Sequence, residues 1–167
     1  GWENSASILP FLREMIGILK KQFSTQTIFG MKDPRMCLTL PLWLKAFSSL
    51  DVNPVFIIMC RHPLEAALSL CLRNHVSLDV ALSLWIEHAT RAEAVTRPFP
   101  RTCVLLPEMF ADAFSTLERI RKSLNLTWPR SMESERENIG AFIDPGLISV
   151  CRRNQSAAQH DPELLVL

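Results

Sequence analysis

The chain has 167 residues, 48% of them apolar and 21% charged, with a formal net charge of +1. That profile is long and apolar enough for one domain with a real core, and it excludes a disordered chain. It carries no overall electrostatic bias of the kind that marks a nucleic-acid binder, so any anion site has to be local.

Five cysteines at irregular spacings, Cys37, Cys60, Cys71, Cys103 and Cys151, lie in or beside apolar runs and form no CxxC pair. They point to buried free thiols in a reducing, cytoplasmic compartment and to no metal site. No apolar run reaches the roughly 18 residues that span a bilayer, so no membrane segment is expected.

In chain order, Ile8, Phe11, Leu12, Met15, Ile16 and Leu19 recur at helical spacing, which predicts a helix over 7–22 with Pro10 in its first turn and Lys20 and Lys21 in its last. A short apolar run predicts a strand over 27–31. Residues 37–50 read as a second helix that begins near Pro41, with Leu44 and Phe47 inward. Asp51 and Asn53-Pro54 are turn chemistry before a strand over 55–60. A helix from Pro63 to about Arg73 comes next, and Ser77 caps a long helix running to about Thr96. Its inner face carries Ala81, Leu84, Trp85, His88 and Ala92. Residues 102–106 read as a third strand, and 111–124 as an amphipathic helix with Phe114, Leu117, Ile120 and Leu124 inward. From 130 onward the pattern weakens. The expected organisation is one domain over 1–150 and a tail over 151–167.

Short strands without strict alternation, separated by helices, imply an α/β fold with a parallel sheet flanked by helices. Ligands of such sheets bind beyond the carboxyl ends of the strands. Two clusters fall there. In "VFIIMCRHPLEAALSL" a strand delivers Arg61 to the sheet edge, Pro63 opens a helix whose free N–H groups favour an anion, and Ser69 lies eight residues after Arg61. Two helical turns separate Ser69 from Pro63 by roughly 9 Å, so only a ligand lying over the start of that helix reaches both. A guanidinium fork and a hydroxyl suit a phosphate. The structural alternative is a surface salt bridge for Arg61 and a local cap for Ser69. In "KDPR", Lys32 is a compact charge suited to a phosphate or to an oxygen in group transfer, while Asp33 either takes part or only orients Lys32 or Arg35.

Over about residues 27–147, with "KDPR", "RHPLEAALSL" and "SLWIEHATRAEA" as its motifs, the chain resembles the P-loop-like sulfotransferases that use 3′-phosphoadenosine 5′-phosphosulfate, above all the bacterial, glycan- and protein-directed branches. The resemblance implies a P-loop-NTPase-like sulfotransferase fold. It assigns Arg61 and Ser69 to the 3′-phosphate of that cofactor or of adenosine 3′,5′-bisphosphate. It places Lys32 at the transferred sulfuryl group as the catalytic residue, with Arg35 as a further sulfuryl or phosphate contact. It gives Glu108 a structural place in the turn after the later strand. The implied acceptor is a carbohydrate, with tyrosine and lipid head groups left open, and the chemistry calls for no metal.

The departures are as informative. The family's first strand, glycine- and Ser/Thr-containing loop and helix, which hold the 5′-phosphosulfate, have no counterpart before residue 27, so the chain is expected to be N-terminally truncated relative to the family. The basic, glycine-rich closing loop has none in "ENIGAFIDPGL", where Arg152 and Arg153 are the nearest substitutes. No GxxxxGK[ST] motif occurs, which disfavours a nucleoside triphosphatase or kinase-like enzyme. Candidates for a general base are His62, His75, His88, Asp33 and Glu87, none singled out by the sequence. The alternative function is a non-catalytic sulfotransferase-like domain that binds a nucleotide bisphosphate or another anion. Trp43, Trp85 and Trp128 sit in apolar patterns and read as core residues.

Overall fold

A computed structural model describes residues 2–143. Two short 3-10 turns, Trp2–Asn4 and Ala6–Ile8, precede α1 (Leu9–Phe23) and α2 (Met36–Ser48). Beyond them lie β1 (Phe56–Cys60), α3 (Pro63–Asn74), α4 (Leu78–Thr96), β2 (Arg101–Leu105), α5 (Leu106–Ala111), α6 (Ala113–Ser123) and α7 (Arg136–Phe142). Among the described residues the fold is thus α/β: seven α-helices and a two-stranded parallel sheet, β1 beside β2, flanked by helices. None of these helices is long and apolar enough to cross a membrane. The expected tail over 151–167, with Cys151, Arg152 and Arg153, lies outside the described residues.

The chain divides into two compact units. The first holds the residues up to Phe56 together with Arg91–Pro100. Its core is Leu19, Ala46 and Phe47, onto which Leu12, Met15, Ile16 and Phe23 pack from the stripe of α1. Phe11, expected on that stripe, is 62% exposed, because the 12-15-16-19-23 spacing turns it away from α2.

Two expectations fail in this unit. Residues 27–31 form no strand, because no neighbouring strand takes up their backbone groups. Their side chains pack instead: Phe29 stacks on Phe23 with ring centroids 4.4 Å apart, and Met31 joins the core cluster. The second helix begins at Met36, five residues before the expected Pro41, which lies inside it. The turn at Asp33-Pro34-Arg35 nucleates that earlier start. The Arg35 carbonyl accepts from Leu38 N–H at 2.9 Å and Thr39 N–H at 3.3 Å, and Asp33 O accepts from Met36 N–H at 3.0 Å. Pro41 removes one helical bond downstream of this nucleus, while Leu40 and Leu42 on either side are buried.

The second unit holds Ile57–Thr90 and the described residues from Arg101 onward. Its two strands fall within one residue of expectation, so the third strand of the sequence reading is the second and last strand among the described residues. α5 and α6 pack on β2, where Val104 and Ile120 are 0% and 1% exposed. The single helix expected over 111–124 is two helices. Asp112 breaks them apart as an N-cap, its carboxylate accepting from Ser115 N–H at 2.9 Å and Ser115 Oγ–H at 2.6 Å. Helix α7 falls where the sequence pattern weakens; Arg136 in it sits 4.0 Å over the Phe114 ring.

Ile120→Ala is expected to lower stability by about 2–5 kcal/mol, because the cavity it leaves in a packed interior relaxes only partly. Phe11→Ala, at the exposed position, should stay within about 0.5 kcal/mol of the parent. Urea unfolding curves of the two variants, compared at their midpoints, check both.

Candidate anion-binding site

The first cluster lies in the second unit. β1 ends at Cys60, and the next residue, Arg61, stands between the strand and α3. His62 precedes α3 with extended φ −53° and ψ 130° and makes no side-chain cap; Pro63 occupies the first turn and has no N–H to spend. The N–H groups of Leu64 and Glu65 therefore face outward at the positive end of a 12-residue helix.

Arg61 is held by one contact. Its Nε donates to Glu65 Oε2 at 3.4 Å, a long hydrogen bond, with the two side chains 24% and 32% exposed. Among the described residues its two Nη groups have no partner, so most of the guanidinium fork stays available. The half-buried Ser69 hydroxyl likewise has no hydrogen-bond partner among the described residues. The surface salt bridge weighed from sequence is thus present, but it engages one of the five guanidinium N–H groups. Next to Arg61, the Cys60 thiol is pushed above its ordinary value by burial and then by the neighbouring Cys103 thiol, so it remains a protonated, poor nucleophile at neutral pH.

The second cluster lies in the first unit and is a turn, not a strand end. Asp33 grips Arg35 three ways: Oδ1 accepts from Arg35 N–H at 2.7 Å and Nε–H at 3.1 Å, and Oδ2 accepts from Nη2–H at 3.0 Å. Those hydrogen bonds hold the Asp33 carboxyl at about 2, against its ordinary 3.8. Asp33 is therefore the architectural residue of the two roles weighed for it, and so weak a base draws no proton from a hydroxyl at neutral pH. Arg35, expected as a sulfuryl or phosphate contact, is exposed but spends its fork on Asp33. Lys32 is exposed and has no ion pair among the described residues. It borders a cavity of about 280 Å³ shared with α1 and α2, and Trp43 is one of its walls. The reading of Trp43 as core alone was incomplete.

Of the remaining base candidates, His88 Nδ1 lies 2.7 Å from its own helix carbonyl at Leu84. His75 ends α3 in the left-handed region, φ 54°, with its N–H on Cys71 O at 2.8 Å. Glu108 accepts from Leu105 N–H at 3.4 Å and pairs with Arg119 at 2.6 Å, a structural knot between β2, α5 and α6. Among the described residues no group of three His, Cys, Asp or Glu side chains converges as a metal site would require.

Compared with protein-family models, curated proteins and solved structures, the chain finds no match.

The Asp33–Arg35 lock carries a pH signature. A carboxyl lowered on folding contributes stability above its ordinary 3.8 and loses it as pH falls through about 2. An NMR titration of the Asp33 carboxyl should give a midpoint near that lower value, and Arg35→Gln should return the midpoint toward the ordinary one.

Proposed function

We propose that the chain transfers a sulfuryl group from 3′-phosphoadenosine 5′-phosphosulfate to a hydroxyl acceptor, within a P-loop-like sulfotransferase fold. The observation that carries the reading is Arg61: a mostly unspent guanidinium at the carboxyl end of a parallel strand, beside an uncapped helix N-terminus and two turns before an unpartnered serine hydroxyl. These are the donors a phosphate needs, offered from three directions.

In this reading Arg61 and the first N–H groups of α3 bind the 3′-phosphate, and Ser69 adds a hydroxyl to an oxygen lying over the helix. Lys32 neutralises charge on the moving oxygens, where a fixed positive group lowers the barrier most. When bound, the nucleotide supplies the sulfur–oxygen bond that breaks, its electron pair leaving with the bisphosphate while the acceptor oxygen bonds sulfur and releases its proton. Arg35 is the weakest member of the set, since Asp33 already satisfies it.

A second reading, anion binding without transfer, draws on the same Arg61 geometry and on the weakness of Asp33 as a base. The two readings part at turnover: only a transferase forms a sulfated product from the loaded nucleotide.

Calorimetric titration with adenosine 3′,5′-bisphosphate tests the site itself. Arg61→Ala should weaken binding by about tenfold or more, the worth of a charge-assisted hydrogen bond, and Ser69→Ala by a smaller factor. Glu65→Gln should tighten binding, because it removes the carboxylate that competes for the guanidinium. Equal binding by the parent and the Arg61→Ala variant would sink the assignment.

A further inference from the structure

The cavity beside Lys32 has a chemistry of its own. Helix α1 supplies Met15, Ile18, Leu19 and Phe23 to its wall, α2 supplies Trp43, and Met31 closes it from the loop that leads into Lys32. Gln22 and Lys32 are its two polar side chains. At about 280 Å³ it stands at the small end of ligand sites, which run from roughly 300 Å³ upward. It has room for one or two rings and not for an oligosaccharide.

The lining discriminates between acceptor classes. A sugar presents a hydroxyl on nearly every carbon, and each one buried here without a partner carries a desolvation cost. An aromatic body meets the opposite situation: two thioethers and two aromatic rings are polarisable walls that suit a planar ring. The single amine then selects a single negative group at one end of that body. Lys32 is free for this, because the neighbouring carboxylate of Asp33 is occupied by Arg35.

We infer that this cavity holds a small aryl alcohol as the acceptor, and the aryl sulfate it becomes, with the apolar body against α1 and α2 and the sulfate on the Lys32 amine. The assignment rests on the sulfuryl-transfer reading and narrows its acceptor from any hydroxyl compound to an apolar, aromatic one.

The full chain is titrated calorimetrically with 2-naphthyl sulfate and, in parallel, with N-acetylglucosamine 6-sulfate, a sugar ester of the same charge. The expected result is saturable one-site binding of the aryl sulfate at least roughly tenfold tighter than the sugar sulfate. Lys32→Ala and Ile18→Glu should each weaken it by about tenfold, the first by removing the cation and the second by placing a like charge in the wall. Ile18 is 46% exposed, so its substitution tests the cavity in a folded chain, with circular dichroism as the check. Equal affinity for the two sulfates, or aryl sulfate binding indifferent to both substitutions, overturns the inference. Adenosine 3′,5′-bisphosphate titrated into the same preparations separates the two readings. Bisphosphate binding through Arg61 with no aryl sulfate binding overturns the acceptor assignment alone. Lys32-dependent aryl sulfate binding without bisphosphate binding supports the ligand class of the cavity and overturns the donor reading.

Discussion

A strand exists only where another strand accepts its backbone, and in this chain that constraint is met by one pair among the described residues. β1 and β2 run parallel, so no tight turn can join them; the chain must leave the end of β1, cross over through α3 and α4, and return to start β2. The crossover dictates the path of the chain after Cys60: a sharp exit, then a helix whose N-terminus lies beside the strand end. Arg61 occupies that exit. Its proximity to unpaired helical N–H groups is a consequence of the parallel pairing and needs no further device.

The same constraint explains where the sequence was readable. Apolar periodicity with turn residues on both sides placed α1, β1, α3, α4 and β2 to within a residue or two, because each of those signals is local. Residues 27–31 have the composition of a strand, but pairing is not a local property, and their side chains found a helical core instead. Pro41 is a real helix-start signal that lost to a stronger one, the Asp33 turn whose carbonyls collect the first helical N–H groups. Asp112 shows the converse case. Its N-cap signal, an Asp three residues before Ser115, was in plain view inside the run read as one helix. Helix α7, short and charged, is anchored by the contact of Arg136 with Phe114, which no pattern confined to residues 136–142 contains.

The candidate site divides along the same line. That Arg61 ends a strand and Ser69 sits within the next helix was legible, since both depend on β1 and α3 alone. Glu65 as a partner for Arg61 was equally legible, at a spacing of four residues along the chain, and is the signal that sequence reasoning passed over. Lys32 beside an apolar cavity was not legible, because the walls come from α1 and α2 and meet only in the folded unit.

Within the candidate set, availability for a ligand runs inversely to pairing. Arg35 is matched by a carboxylate that grips its backbone and both sides of its fork, Arg61 by one long contact, and Lys32 by no ion pair among the described residues. The Glu65 contact also shapes what Arg61 can accept. An incoming anion meets the guanidinium and the carboxylate together, so a singly charged ligand gains attraction from one and suffers repulsion from the other at similar range. A doubly charged phosphate monoester gains more from the guanidinium and the helix N-terminus than it loses to Glu65, and its several oxygens can engage Nη groups, N–H groups and the Ser69 hydroxyl at once. Glu65 thereby acts as a filter on charge and valency: it disfavours chloride and simple carboxylates at a surface arginine and leaves the site to a ligand that brings both a second charge and the geometry to use it.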